Sequence, residues 1–144
     1  MKKIKLFLIL FFSLSLIACK QKTLYFTPEA TGYIYDGMTK KPLNNQVMNI
    51  GFNGLSSMEN SKVKLNTDGS FTINPITRTY YFFRPSTNIY NMVPAEIFFY
   101  APKYDPFKID YANFYSNQVP DESRGYSHFS KINIGIIYLD PEKP

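Results

Sequence analysis

Lys62-Val63-Lys64-Leu65-Asn66-Thr67-Asp68-Gly69-Ser70-Phe71-Thr72-Ile73-Asn74 is the stretch that decides the fold class. Val63 and Leu65 alternate with Lys62, Lys64 and Asn66, and Phe71 and Ile73 alternate with Ser70, Thr72 and Asn74. A period of two marks a strand that buries one face and wets the other. Asn66-Thr67-Asp68-Gly69 separates the two runs, and Asp-Gly supplies the left-handed residue that a tight loop needs. The stretch therefore predicts a β-hairpin with its register set by the turn.

The same period recurs on both sides. Tyr33 and Tyr35 share one side of a strand that Asp36-Gly37 turns toward Pro42, and Met48, Ile50 and Phe52 form the apolar face of the next. Thr79 to Arg84 and Ala95 to Ala101 are apolar on both sides, as in strands that are central in a sheet or that expose rings for a partner, and packing in the core is the expectation. Phe107, Ile109 and Tyr111 alternate with Lys108 and Asp110, and Ile132, Ile134, Ile136 and Tyr138 are predicted on one face of a last strand. From Thr31 on, no stretch shows a sustained helical stripe. Ala112 to Ser130, with Asn113, Asn117, Pro120, Asp121 and Gly125, reads as a long polar loop. The expected fold is all-β, an antiparallel β-sandwich of about seven strands spanning residues 31–141.

The N-terminus follows another logic. Lys2, Lys3 and Lys5 precede an apolar run from Leu6 to Ile17 that is interrupted only by Ser13 and Ser15. A charged segment before an apolar one is the pattern of an export signal. Twelve helical residues rise about 18 Å, short of the roughly 30 Å of a bilayer core, so residues 1–18 are expected to be a cleaved helical signal peptide and not a permanent span. Leu16-Ile17-Ala18-Cys19 resembles the lipobox of bacterial lipoproteins, with cleavage between Ala18 and Cys19. The resemblance implies that Cys19, the chain's only cysteine, carries two or three acyl chains, enough for stable anchoring in a bilayer. Residues 19–30, interrupted by Pro28, are then the lipidated N-terminus and spacer. In Gram-negative members Asp after the cysteine commonly retains the protein at the inner membrane. Lys20 in that position implies the outer membrane, on its periplasmic side.

Removing 18 of 144 residues leaves 126, which suits one domain with its own core. Three of the sixteen basic residues leave with the signal, so thirteen remain against eleven acidic ones and the +5 of the full chain falls to +2. No basic stripe marks a nucleic-acid partner. Phe and Tyr make up the whole 17% aromatic content and are large contributors of buried area.

Three further pieces resemble the carboxypeptidase regulatory-like, or transthyretin-like, β-sandwich. They are Gly32-Tyr33-Ile34-Tyr35-Asp36 with Lys41-Pro42-Leu43 behind it, Thr67-Asp68-Gly69-Ser70-Phe71, and Tyr100-Ala101-Pro102-Lys103-Tyr104 with Ile134 to Pro141 closing the chain. Lys103 departs from the family, which usually has glycine before that tyrosine. The 86–94 and 113–130 loops are longer than in a minimal member. The resemblance implies a non-catalytic module.

Residues that could carry chemistry are few. His128 is the only histidine, no Gly-x-Ser-x-Gly nucleophile motif is present, and one His without a free Cys is too little for zinc. Asn66-Thr67-Asp68-Gly69-Ser70 lacks the bidentate Glu of a calcium loop. Asp105, Asp110, Asp121 and Glu122 are the carboxylates a glycosidase would have to pair, and their spacing alone places no such pair. No cofactor and no metal are expected. The positive lead is Tyr80, Tyr100, Tyr111, Tyr115 and Tyr126, which either fill the core or form a platform for a sugar, a peptidoglycan strand or a protein. The expectation is a membrane-anchored lipoprotein that binds or scaffolds another envelope protein or glycan. The alternative is a periplasmic immunity or inhibitor lipoprotein that neutralises a toxin or lytic enzyme, and an envelope enzyme comes last.

Overall fold

The computed structural model describes residues 20–57 and 60–143. Ala18, Cys19 and the signal segment lie outside them. Nine strands and one α-helix are formed among the described residues: β1 (Lys22–Tyr25), β2 (Glu29–Asp36), β3 (Val47–Phe52), β4 (Lys62–Lys64), β5 (Ser70–Ile73), β6 (Thr77–Tyr80), β7 (Glu96–Tyr100), β8 (Phe107–Asp110), α1 (Ala112–Gln118) and β9 (Lys131–Leu139). The sheets run β1-β6, β5-β2-β9 and β4-β3-β7-β8.

The three- and four-stranded sheets share one core. Ala30, Ile34, Phe71, Ile73, Ile132 and Leu139 meet Met48, Ile50, Phe52, Ile97 and Phe99 within it, and Phe71 touches Phe99 edge to face at 5.8 Å. The apolar faces expected of β3 and of Phe71 and Ile73 point inward, and Tyr33 and Tyr35 are on the outer side of β2.

The deciding stretch is not a hairpin. β4 pairs with β3 and β5 pairs with β2, so the two runs belong to different sheets. The turn itself forms as read: Gly69 takes φ +77° and donates its N–H to Asn66 O at 3.0 Å, while the Asp68 carboxylate accepts from Ser70 N–H at 3.0 Å. Its ends are claimed by other strands. Leu65 N–H donates to Gln46 O beside β3, and Gly69 O accepts from Ile34 N–H in β2, each at 2.9 Å. A Cβ on residue 69 would lie 2.7 Å from Ile34 O, so glycine also permits this close approach to β2. The turn carries the chain from one sheet to the other.

Five other expectations are corrected. The sandwich is not wholly antiparallel, because β9 runs parallel to β2 from Glu29↔Lys131 to Asp36↔Leu139. Residues 20–30 are more than a spacer: they contain β1 and the start of β2. Thr79 to Arg84 is not a central strand; β6 pairs with β1 alone, and Tyr81, Phe82 and Phe83 are exposed. Residues 112–130 contain α1, whose N-terminus receives the Asp110 carboxylate through Ala112 N–H at 2.8 Å.

The fifth correction concerns β9. Ile132 and Ile134 are buried as expected, yet Ile136 and Tyr138 are exposed and Ile137 and Leu139 take the core positions. The cause is a β-bulge. Thr31 pairs with Asn133 and Tyr33 with Ile136, so Gly32 of β2 alone opposes Ile134 and Gly135 of β9, with Gly135 at φ +74° as the inserted residue. An extra residue reverses the alternation beyond it. Gln118 of α1 brackets the bulge on the sheet edge, donating its amide N–H to Asn133 O and accepting from Asn133 N–H, both at 2.8 Å.

The far end of the two sheets is closed by Tyr104, which bridges to Pro141 and donates its hydroxyl to Asp36 Oδ2 at 2.9 Å. The other Asp36 oxygen accepts from Thr39 N–H at 2.6 Å and from Met38 N–H at 2.9 Å. These bonds, that from the Thr39 N–H foremost and that from the Tyr104 hydroxyl next, hold the Asp36 carboxyl below its ordinary range. Lys103 beside it adopts φ +70°, the backbone geometry that glycine provides freely.

Candidate functional site: an aromatic cleft

Three chain stretches without the two-residue alternation of a strand converge near the N-terminal end of β2. After β1, Phe26 N–H donates to Ile76 O at 2.8 Å, and Ile76 N–H donates in return to the Thr27 hydroxyl at 2.8 Å, which fixes residues 25–28 against the start of β6. From the 86–94 loop, Tyr90 stacks on Phe26 with ring centres 3.6 Å apart and planes 10° from parallel. From the segment after α1, Tyr126 O accepts Tyr25 N–H at 2.8 Å, while the Tyr126 hydroxyl donates to Asn91 Oδ1.

Between them is a cleft of about 320 Å³, lined by Tyr25, Phe26, Thr27, Pro28, Ala95, Tyr111, Ala112, Tyr115, Gly125, Tyr126, His128 and Ser130. Tyr111 and Tyr115 are four residues apart across the start of α1, so one helical face presents both rings. Tyr111 is further held by its N–H to Ala95 O at 2.8 Å and by edge-to-face packing on Phe52 at 5.5 Å. Burial, with smaller contributions from Tyr115, Tyr126 and Asp110, pushes the Tyr111 phenol up to about 12. It therefore stays protonated and able to donate a hydrogen bond at any physiological pH.

α1 is short, and its C-terminal end is supported from outside. The Arg124 guanidinium donates to Val119 O at 2.9 Å and to Ser116 O, and pairs with Asp121. A cation on the last carbonyls of a helix satisfies groups that have no partner within the helix. Val119 plugs the same end into the core.

Of the five tyrosines singled out, the structure brings together Tyr111, Tyr115 and Tyr126. Tyr80 is opposite Lys22 on the β1-β6 ladder, and Tyr100 is exposed on β7 opposite Asn49; neither lines the cleft. Tyr25, Phe26 and His128 were not foreseen as lining residues, although two adjacent rings just before Pro28 were a visible signal of an ordered segment. His128 lies in an exposed turn, its N–H donating to Gly125 O at 3.2 Å. The carboxylates Asp105, Asp110, Asp121 and Glu122 are likewise exposed, Asp110 and Asp121 being used at the two ends of α1. Among the described residues no three His, Cys, Asp or Glu side chains are grouped to hold a metal ion.

The arrangement offers ring faces for stacking and phenol hydroxyls for hydrogen bonds on an apolar floor. That combination suits one sugar ring or one planar side chain. No protein-family model matches the chain, and no curated protein is similar in sequence to it.

Proposed function

We propose that this chain is a lipid-anchored protein of the outer membrane, exported by residues 1–18 and held at the bilayer by acylated Cys19. Its domain is a non-catalytic β-sandwich that binds another cell-envelope component, a protein or a glycan, in the aromatic cleft. The observation that carries the proposal is the convergence of Tyr111, Tyr115 and Tyr126 with Tyr25 and Phe26 in one cleft, only six residues along the chain from Cys19. A ligand in that cleft would be held close to the membrane.

The likeness to the carboxypeptidase regulatory-like sandwich is supported by two details. Asp36 and Tyr104, which fall within the resembling motifs, are hydrogen-bonded to each other, and Lys103, standing where that family usually has glycine, has φ +70°, a conformation glycine adopts freely. Both lie far from the cleft, at the clasp between the sheets.

The test is capture from envelope extract and sedimentation with purified peptidoglycan, using the acylated protein beside its Tyr115→Ala variant. Wild type should retain a component that the variant loses while both fractionate with membranes and unfold at the same urea concentration. Equal retention by the two proteins would refute the cleft as the binding site.

A further inference from the structure

We infer that residues 81–92 form a second, non-covalent contact with the bilayer beside the anchor; the inference rests on the assignment of Cys19 as the acylated residue. Tyr81, Phe82, Phe83, Ile89 and Met92 are 56%, 76%, 90%, 74% and 86% exposed. Large apolar side chains grouped on a surface in this way mark an interaction site. The occupant is identified by three observations.

The first is position. β1 and β6 are antiparallel with Lys22 opposite Tyr80, so the chain leaves β6 at the end where it enters β1. Lys22 is three steps along the chain from Cys19, a reach of at most about 10 Å. The step across the ladder adds about 5 Å, so an acyl anchor on Cys19 brings the bilayer surface to within about 15 Å of Tyr80, where the exposed rings begin.

The second is charge. No Asp or Glu occurs in residues 20–28 or 77–95, which contain the two strands of this ladder and the exposed rings after it, whereas Lys20, Lys22, Arg78 and Arg84 do. Four cations without a carboxylate complement an anionic headgroup layer. The third is composition: tyrosine and phenylalanine with flanking arginine and lysine match the headgroup boundary, where rings enter the acyl region and cations remain with phosphates.

The chain has no tryptophan, so Phe83→Trp introduces a single indole at the most exposed ring, and Met38→Trp places one in the turn at the opposite end of β2. Each acylated variant is reconstituted into phosphatidylethanolamine–phosphatidylglycerol vesicles containing lipid brominated in mid-chain. Phe83→Trp should emit at shorter wavelength and be quenched by bromine, with Met38→Trp unchanged. Emission from Phe83→Trp as in water, in protein that floats with the vesicles, overturns the inference while leaving the anchor intact.

Protein that does not float refutes the anchor instead. The same probe is then read on the Cys19→Ser chain lacking residues 1–18, with vesicles in excess. Quenching there sustains the contact without the anchor, and its absence overturns both. A blue shift on addition of envelope protein but not of lipid assigns the patch to a protein partner and likewise overturns the inference. In the unacylated chain, Phe82→Ser with Phe83→Ser should weaken vesicle binding by at least about tenfold.

Discussion

Ile136 and Ile137 are adjacent, chemically identical and opposite in fate, which makes them the sharpest test of β9. Simple alternation from Ile132 and Ile134 puts Ile136 in the core, whereas the bulge at Gly135 puts Ile137 there, at 5% exposure against 49%. Truncating Ile137 to Ala removes three buried carbons, about 2.4 kcal/mol of transfer free energy at about 0.8 per carbon, and leaves a cavity in the shared core. The expected cost is about 3 kcal/mol. Ile136→Ala loses roughly half that transfer term, with no cavity, and should cost about 1 kcal/mol. Urea unfolding separates them: with m near about 1.5 kcal/mol/M, the midpoint falls by about 2 M for Ile137→Ala and by less than about 0.7 M for Ile136→Ala. Equal costs, or a larger one at Ile136, would show that the strand runs through residue 135 without a bulge.

Three more outcomes are expected. The Tyr111 phenol, raised to about 12 in the folded protein from an ordinary value near 10, favours the folded state at all pH below about 10; this stability, at most about 3 kcal/mol, is lost as pH rises from about 10 to 12. Absorbance titration of tyrosinate should therefore show a late-ionising phenol that Tyr111→Phe removes. Lys103→Gly should raise stability by about 0.5–1 kcal/mol in urea unfolding, because φ +70° strains any side-chain-bearing residue more than glycine's extra chain entropy costs. Arg124→Ala should cost about 1–2 kcal/mol and speed amide exchange within residues 112–118, since two carbonyls at the end of α1 lose their charged donor.

Where a residue's own face decides its environment, the sequence was legible. Met48, Ile50 and Phe52, and likewise Phe71 and Ile73, alternate without interruption and are buried. Periodicity names the buried face but not the neighbouring strand, so it suggests that β4 and β5 are partners although each hydrogen-bonds elsewhere. In β9 the pattern Ile-Asn-Ile-Gly-Ile-Ile contained its own warning, a glycine inside an alternating run, which commonly marks a bulge. α1 escaped notice because two turns are too short to show a stripe, and much of what stabilises it comes from Arg124, which lies beyond its end. The tyrosines were visible as a class. Only the fold shows that Tyr111, Tyr115 and Tyr126 meet Phe26, because that meeting joins segments about a hundred residues apart.

The parallel pairing of β2 with β9 ties the order of synthesis to the order of assembly. A growing chain produces β2 early, but the neighbour that covers its open side is β9, about a hundred residues later and the last of the described strands. Until residue 139 is available, Ile34 and Ala30 lack Ile132, Ile137 and Leu139, and the clasp at Tyr104 lacks Pro141. A nascent polypeptide therefore stays open along β2, and closure comes in one late, long-range step. Even modest shortening of the C-terminus would yield a chain that never completes itself.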